Sequence, residues 1–238
     1  MESLNERYRP ERLCEIIGQP CVDGLIRFAA NPYPCCIALE GPTGVGKTTA
    51  AMALANELGN HDGLLDSVYV VEGANFDAEA VRHYLTGPWG ANDNTPLRYS
   101  VKPGFHVLVL EELEYMNPTV ARLCKTAFEQ AVKPRHNEHG DTEYPYRLII
   151  VATSNDMSAL PVALRHRFAG HHYMFRGDEA FAEVMIDWLA LVWQHEMGDA
   201  EMPQHWMGFG WDLTTETFSA RLALETLGQY MVKEGAMA

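Results

Sequence analysis

Basic residues are scarce in this sequence. Its 18 lysines and arginines are outnumbered by 32 aspartates and glutamates, which gives a formal net charge of −14. A surface with this excess of acid repels nucleic acid at long range, because the phosphate backbone is also negatively charged. Any contact with DNA must therefore come from a local basic patch or from partner subunits.

Paired cysteines and long apolar runs are also missing. The cysteines are odd in number and form no Cys-x-x-Cys pair, so we expect free, mostly buried thiols rather than disulfides or a zinc module. No apolar run reaches the roughly 18 residues that a membrane span needs. The first residues, Met-Glu-Ser-Leu-Asn-Glu-Arg, lack the apolar segment of a secretory signal. We therefore expect a cytoplasmic protein with no membrane contact.

The sequence does contain an alternation of short apolar runs and helical patterns. Four runs have the composition of buried strands, over residues 36–40, 68–71, 106–110 and 148–152. Helical spacing follows three of these runs, over residues 47–58, 77–85 and 117–132. Strands that alternate with helices predict an α/β fold with an open parallel sheet.

The composition changes near residue 175. Beyond it no β-rich run occurs and Trp, Met and Leu are frequent, which predicts a core of residues 1–175 followed by a small helical lid of residues 176–238. Glycines and a proline interrupt residues 198–212, which are therefore expected to form a loop. Within the core, the polar segment 134–146 contains Gly140-Asp141, and its flanks are expected to pair as a hairpin.

A glycine-rich loop between the first predicted strand and its helix carries the most specific motif. Gly41-Pro-Thr-Gly-Val-Gly-Lys-Thr matches G-x-x-x-x-G-K-[ST] in full. Backbone N–H groups of such a loop cradle phosphate oxygens, Lys47 would reach the β- and γ-phosphates, and the Thr48 hydroxyl would bind Mg²⁺. The motif predicts binding of ATP and Mg²⁺, and a chance glycine-rich turn is the alternative. The other expected contacts are Pro42, Thr43, Gly44, Val45, Gly46 and Thr49.

Acidic and polar residues follow two of the later strands. Glu111 and Glu112 come directly after residues 107–110; the first carboxylate would hold the Mg²⁺ shell and the second would polarise the attacking water. A pair of solvated acids is the alternative. The last strand leads into Ser154 and Asn155, either of which could orient the water and sense the γ-phosphate. Serine and asparagine also simply begin turns.

In combination, these motifs resemble those of the AAA+ ATPases, from Tyr8 to about Tyr230. Tyr8-Arg9-Pro10, followed by Ile17-Gly18-Gln19, looks like the N-terminal signature shared by clamp-loader subunits and the RuvB-type branch-migration motor. This resemblance implies that the segment lies against the adenine. Glu111-Glu-Leu-Glu114 looks like the family's Asp-Glu-Ala-Asp box, with glutamate in place of the first aspartate.

Two later segments are similar to the arginine-bearing motifs of this family. Leu164-Arg165-His166-Arg167-Phe168 looks like the segment with the arginine finger, which enters a neighbouring subunit's site. The motif favours Arg167, with Arg165 second; bonding to helix C-terminal carbonyls is the alternative. Ser219-Ala-Arg221 resembles the sensor-2 helix, which implies a contact from Arg221 to the γ-phosphate, unless Arg221 lies on a solvated helix face.

The resemblance implies an oligomer of AAA+ subunits that hydrolyses ATP at its interfaces. Its role would be clamp-loader-like remodelling of a DNA-associated complex in replication or repair, with DNA and a DNA-bound protein such as a sliding clamp as partners. The helical collar domain of clamp loaders has no counterpart in these 238 residues. Two alternatives stay open. One is a remodeller of a protein partner without DNA contact. The other is a nucleotide-binding structural subunit that hydrolyses ATP only weakly, which the glutamate at position 111 in place of aspartate favours.

Overall fold

The computed structural model describes most of the chain, namely residues 3–59, 68–86, 105–133, 135–136, 142–143, 148–203, 205–212 and 214–233. The strands are β1 (Cys35–Glu40), β2 (Val68–Glu72), β3 (His106–Glu111), β4 (Arg135–His136), β5 (Thr142–Glu143), β6 (Leu148–Ser154), β7 (His172–Met174), β8 (Trp211–Asp212) and β9 (Thr217–Phe218). The α-helices are α1 (Leu4–Arg7), α2 (Val22–Ala30), α3 (Lys47–Leu58), α4 (Ala78–Val81), α5 (Pro118–Val132), α6 (Val162–Arg165), α7 (Glu179–Met197) and α8 (Ala220–Lys233).

Five of these strands form one parallel sheet in the order β2-β3-β6-β1-β7. The three inner strands are buried almost throughout, because helices cover the sheet. Burial on both faces explains why their sequences are continuous apolar runs rather than alternating ones. The predicted α/β fold with a parallel sheet is confirmed.

The fifth strand, β7, has no counterpart among the sequence predictions. It is three residues long and pairs with β1, with Ala38 opposite His172. It lies at the edge of the sheet, and only its middle residue, Tyr173, is turned partly inward. A short edge strand needs no apolar run, so its sequence carries no recognisable strand pattern.

Two predicted helices begin where their capping residues indicate. The side chain of Asn117 accepts a hydrogen bond of 2.8 Å from the backbone N–H of Thr119 at the start of α5, with Pro118 in the first helical turn. The side chain of Asp77 caps α4 in the same way. However, α4 is α-helical only over Ala78–Val81 and continues as a π-helical turn over Arg82–Thr86.

The region after Phe175 consists mainly of the two helices α7 and α8. It also contains the antiparallel pair β8–β9, with Trp211 opposite Phe218, so the expectation of no strand in this region is wrong. Strands of two residues leave no pattern of their own, and no glycine-containing turn lies between these two. Apolar side chains of α7 and α8 join one buried cluster with those of β1 and α3. The boundary near residue 175 therefore stays a prediction.

The polar segment 134–146 contains the strands β4 and β5. They pair antiparallel, with Arg135 opposite Glu143, and this confirms the predicted hairpin. Gly140-Asp141, the expected turn, lies outside the described residues.

The cysteines are free, as expected, and three of the five are buried. Burial raises the pKa of both the Cys35 and the Cys124 thiol to about 12. Across the parts of the chain that the structure describes, no helix is both long enough and apolar enough to cross a bilayer.

Candidate functional site

The glycine-rich loop lies between the end of β1 and the start of α3. Gly44 and Gly46 have positive φ angles of 79° and 97°, a backbone conformation that other residues adopt only with strain. A Cβ atom on Gly44 would also clash with the Oγ atom of Ser219, just before α8. Both glycines are therefore required by the backbone, and the loop has the shape that directs N–H groups at an anion.

Lys47 folds back onto this loop. Its Nζ atom donates hydrogen bonds to the carbonyl oxygens of Gly41 (2.8 Å) and Pro42 (2.6 Å) and to Oδ1 of Asn155 (2.9 Å). These three acceptors use all three donors of the ammonium group. Burial lowers the pKa of Lys47 to about 8, and the nearby carboxylate of Glu114 opposes this effect. A phosphate oxygen in the loop would take over one of these three bonds.

The acidic residues after β3 differ in their placement. Glu111 ends the strand, opposite Glu72 of β2, and is not among the residues that line the cavity above the loop. Glu112 and Glu114 do line this cavity. Glu112 has a left-handed backbone with φ 52°, which costs about 1–2 kcal/mol in a residue with a side chain. Its N–H group donates to the Thr153 hydroxyl at 3.2 Å.

The residues that end β6 also reach this region. The backbone N–H and the Nδ2 group of Asn155 donate to Oε1 of Glu114, at 3.0 and 2.8 Å. Asn155 thus connects Glu114 with Lys47. Ser154 is 1% exposed, and its hydroxyl accepts a bond of 3.1 Å from the backbone N–H of Asp156, as in an ordinary turn. The sequence did not single out Glu114 as a site residue, since it follows neither the strand end nor the loop directly.

A cavity of about 730 Å³ separates the loop from the N-terminal segment and from α7 and α8. This volume lies in the usual range of small-molecule sites, roughly 300–1,000 Å³. The cavity has a polar floor, and its other sides combine apolar and charged residues. The floor includes residues 43–49, Thr153, Ser154 and Asn155. The opposite sides are lined by Tyr8, Arg9, Pro10, Ile16, Ile17, Phe181, Met185, Trp188, Arg221 and Leu224, among others.

Two residues of the expected nucleotide contacts do not line this cavity. The Pro42 side chain is absent from its wall, although the Pro42 carbonyl holds Lys47. Gly18 lies against Phe181 instead, where a Cβ atom would come within 2.8 Å of the ring. The neighbouring Gln19, which the sequence did not select, bonds the carbonyl oxygen of Val45 in the loop (3.2 Å) and both backbone groups of Arg176.

The N-terminal segment is fastened to α7. The Tyr8 hydroxyl donates to Glu196 Oε1 and contacts His195 Nδ1, both at 2.6 Å, while Arg7 pairs with Glu196 at 2.5 Å. Burial and the bond to Glu196 raise the pKa of Tyr8 to about 12. The Tyr8 ring meets Trp188 edge to face, with centroids 5.9 Å apart. These contacts place Tyr8 at the cavity wall.

The candidate arginines occupy different positions. Arg221 lines the cavity, and its backbone N–H donates to the Gly44 carbonyl at 3.4 Å. Arg167 pairs with Glu129 of α5 at 2.5 Å, and its Nε donates to the Lys125 carbonyl at 3.3 Å. The Nε atom of Arg165 is buried and has no hydrogen-bond partner among the described residues. Neither Arg165 nor Arg167 lines the cavity of its own chain.

Curated proteins similar to this chain include members of two groups. The RuvB subunit of the Holliday junction branch migration complex of Streptococcus equi subsp. zooepidemicus is 30% identical over 184 residues, which are 71% of this chain and 49% of that protein. The replication factor C large subunit of Methanopyrus kandleri is 30% identical over 177 residues, 67% of this chain and 31% of that protein. The chain thus spans half or less of the length of these relatives.

Solved structures share the fold at lower identity. The RuvB Holliday junction branch migration motor of Thermotoga maritima superposes with a TM-score of 0.62 and 18% identity, over 96% of this chain and 67% of that one. Hsp104 in its closed state superposes with a TM-score of 0.56 and 16% identity. This likeness covers 92% of this chain and 45% of the Hsp104 chain. Each of these likenesses covers more than nine tenths of this chain.

One family model matches residues 37–175, more than half of the chain, and is described as the ATPase family associated with various cellular activities (AAA). The match begins within β1 and ends just after β7, so it contains most of β1, the other four strands of the sheet and the glycine-rich loop. With the two groups of relatives and the shared fold, this match means that the chain belongs to the AAA family of ATPases.

Proposed function

We propose that this chain hydrolyses ATP at the subunit interfaces of an AAA+ oligomer and uses the energy to remodel a DNA-associated complex. The observation that carries the catalytic part is the contact between Lys47 and Asn155, 2.9 Å long, on the floor of a nucleotide-sized cavity. It brings the phosphate-binding loop and the end of β6 to one point, where a γ-phosphate would have to lie.

The residues at this point fit ATP with Mg²⁺. The loop has the positive φ angles that turn N–H groups toward phosphates, and the residues that line the cavity include Thr48, Glu112 and Glu114, whose side chains end in oxygen atoms. Oxygen atoms of this kind are the ligands that Mg²⁺ takes. Thr48 would hold the ion, and Glu111 stays the predicted carboxylate of its shell. When bound, the ion neutralises charge on the phosphates.

The chain's own groups then have separate tasks. Lys47 exchanges its bond to Asn155 for bonds to phosphate oxygens, and Arg221 approaches the γ-phosphate from the side of α8. Glu112 is exposed at the cavity and accepts the proton of the attacking water or polarises it. Its left-handed backbone is a costly conformation at the edge of the cavity, which supports a functional reason for it.

The arginine finger comes from a neighbouring subunit in this proposal, with Arg167 as the first candidate. Its ion pair with Glu129 has to open before it can reach another chain, and the partial exposure of both side chains allows this. Arg165 is the second candidate, since its buried Nε lacks a partner within the described chain. A finger of this kind typically contributes about 10³-fold or more to the rate.

Steady-state ATP hydrolysis tests the catalytic part. Glu112→Gln should abolish most activity while ATP still binds, because the amide cannot accept the proton; equal rates in wild type and variant would reject Glu112 as the base. Arg167→Ala should also lose activity and regain it when mixed with Lys47→Ala subunits, which have no working site but still supply an arginine. No loss in Arg167→Ala would reject this finger.

The DNA-associated role draws on the relatives, whose names refer to Holliday junctions and to replication factors. The acidic net charge of −14 instead favours the second candidate, a remodeller that acts on a protein without touching DNA. ATPase rates measured with and without primed or single-stranded DNA separate these two. Stimulation by DNA is the expected result, and its absence would favour the protein-directed role. Very slow hydrolysis under both conditions would favour the third alternative, a nucleotide-binding structural subunit.

A further inference from the structure

We infer that Glu114 is a positioning residue that turns the side-chain amide of Asn155, so that its oxygen rather than its NH₂ group faces the space above the glycine-rich loop. The inference rests on the proposed ATP hydrolysis and adds a residue to it. Glu114 belongs neither to the glycine-rich loop nor to the adjacent pair of acidic residues, Glu111 and Glu112, at the end of β3.

Glu114 and Asn155 are joined by a double contact. One oxygen of Glu114, Oε1, accepts both the backbone N–H of Asn155 (3.0 Å) and its Nδ2 group (2.8 Å). Two bonds to one atom hold the backbone of Asn155 and also the direction of its amide. The carboxylate itself is well placed, because Glu114 lies in a short 3₁₀ turn whose first residue, Leu113, is completely buried.

The oxygen of the same amide faces Lys47 and Thr43. Oδ1 of Asn155 accepts hydrogen bonds from Nζ of Lys47 (2.9 Å) and from the hydroxyl of Thr43 (3.3 Å). A reversed amide would place Oδ1 against the carboxylate oxygen of Glu114 and the NH₂ group against the Lys47 ammonium. Two attractive contacts would become two repulsive ones, since a carboxylate only accepts and an ammonium only donates.

This orientation limits what Asn155 can do. An amide oxygen accepts hydrogen bonds from an ammonium group or from water, but it repels the oxygens of a phosphate. Asn155 therefore suits one of the two roles that its sequence position left open: it orients the attacking water and does not donate to the γ-phosphate. Lys47 can leave Asn155 for the nucleotide, and the vacated acceptor then becomes available to the water.

The second oxygen of Glu114 gives an independent indication. Oε2 is buried and has no hydrogen-bond partner among the described residues. Burying an unpaired polar atom lowers stability, so a glutamate that served only to connect β3 with β6 would be a poor choice at this position. Because this carboxylate lowers stability and lies beside the cavity, we expect it to have a role in the nucleotide site.

The decisive experiment compares kcat, KM and the Kd of a non-hydrolysable ATP analogue in four variants. Glu114→Ala should lower kcat about tenfold or more, the range expected for a displaced catalytic group, with the analogue Kd changed less than about threefold. Glu114→Gln should retain kcat within about threefold, because its amide oxygen still accepts both bonds from Asn155. Asn155→Ala and the double variant Glu114→Ala/Asn155→Ala should have equal kcat values, since Glu114 acts only through Asn155.

Glu183→Ala, at an exposed position on α7, is the matched control and should behave like wild type in all measurements. Urea unfolding of each variant identifies any general loss of the fold. The inference is overturned if the decreases in kcat of the two single variants multiply in the double variant. It is also overturned if Glu114→Gln is as slow as Glu114→Ala, or if Glu114→Ala changes KM together with kcat. A wild-type chain that binds the analogue but hydrolyses no ATP would instead overturn the proposed function, and the inference with it.

Discussion

The hydroxyl of Tyr8 lies 2.6 Å from a carboxylate oxygen of Glu196, although 188 residues separate the two in sequence. This contact joins the N-terminal segment to helix α7, on the side of the cavity opposite the glycine-rich loop. The same carboxylate group pairs with Arg7, so a single side chain of α7 holds two consecutive residues of the segment. The position of Tyr8 at the cavity wall therefore depends on this one bond network.

Replacing Tyr8 with phenylalanine should loosen that attachment. The change removes a hydrogen bond to a charged group and should lower the free energy of unfolding by about 1.5–3 kcal/mol. ATP should bind more weakly, because the ring would no longer be held against Trp188. Urea unfolding and ATP titration measure both effects. Tyr115→Phe, at a position that is 63% exposed, is the control and should leave both unchanged.

Replacing Gln19 with leucine should destabilise the protein more broadly. The Gln19 side chain is 4% exposed and bonds the carbonyl of Val45 and both backbone groups of Arg176. Leucine would leave these buried groups unpaired, at a cost of roughly 2–3 kcal/mol. Denaturant unfolding of wild type and Gln19→Leu measures this loss in the free energy of unfolding. The corresponding change at the exposed Gln194 should have little effect, and a similar loss there would contradict this account.

Alanine at Gly44 should impair the site for two reasons that can be separated. Its φ of 79° strains any side chain, and its Cβ would clash with Ser219 Oγ. Gly46→Ala meets only the strain, about 1–2 kcal/mol, since no atom lies within 4 Å of the added Cβ. Gly44→Ala should therefore weaken ATP binding more than Gly46→Ala does, and Ser219→Ala should restore part of the loss. Gly170→Ala, which has neither problem, should bind ATP normally.

Acidification should destabilise the fold through His171. Its ring contacts Phe28 and Tyr33, and burial lowers its pKa below the usual value of about 6.5. The unfolded chain therefore binds a proton at His171 more readily than the folded one, so its contribution to stability is present above pH 6.5 and is lost as the pH falls through the folded pKa.

Urea midpoints at pH 7.5 and pH 5.5 test this expectation. His171→Gln cannot ionise and should show a smaller decrease between the two pH values than wild type. The exposed His205 is the control residue, and His205→Gln should keep the wild-type decrease. An unchanged decrease in His171→Gln would assign the pH dependence to other groups.

Sequence reasoning was most successful where the deciding residues are neighbours along the chain. Local patterns were enough to predict three features: the loop from Gly41 to Thr49, the start of α5 at Pro118 and the hairpin pair β4–β5. It was wrong about strands after residue 175, and it did not find β7. Both cases concern strands of two or three residues that lack a turn signal such as the Gly140-Asp141 pair between β4 and β5. Such strands are stabilised by their partners rather than by their own composition.

Within the site, the missed residues are those whose partners are distant in sequence. Gln19 bonds Arg176 across 157 positions, and Glu114 bonds Asn155 across 41. Glutamine and glutamate at such positions look like ordinary surface residues until the sheet brings their partners near. The motif at residues 111–114 drew attention to its first two carboxylates, whereas the third is the one in contact with Asn155.

A few consecutive residues are enough to specify that β1 leads through a glycine-rich loop into α3, with Lys47 as the first residue of that helix. The sequence also determined the parallel sheet, since apolar runs of that length must be buried on both faces. Only the tertiary structure decided which groups meet above the loop. The parallel strands β3 and β6 end side by side, and this geometry, which no local pattern contains, places Glu114, Asn155 and Lys47 in one connected row.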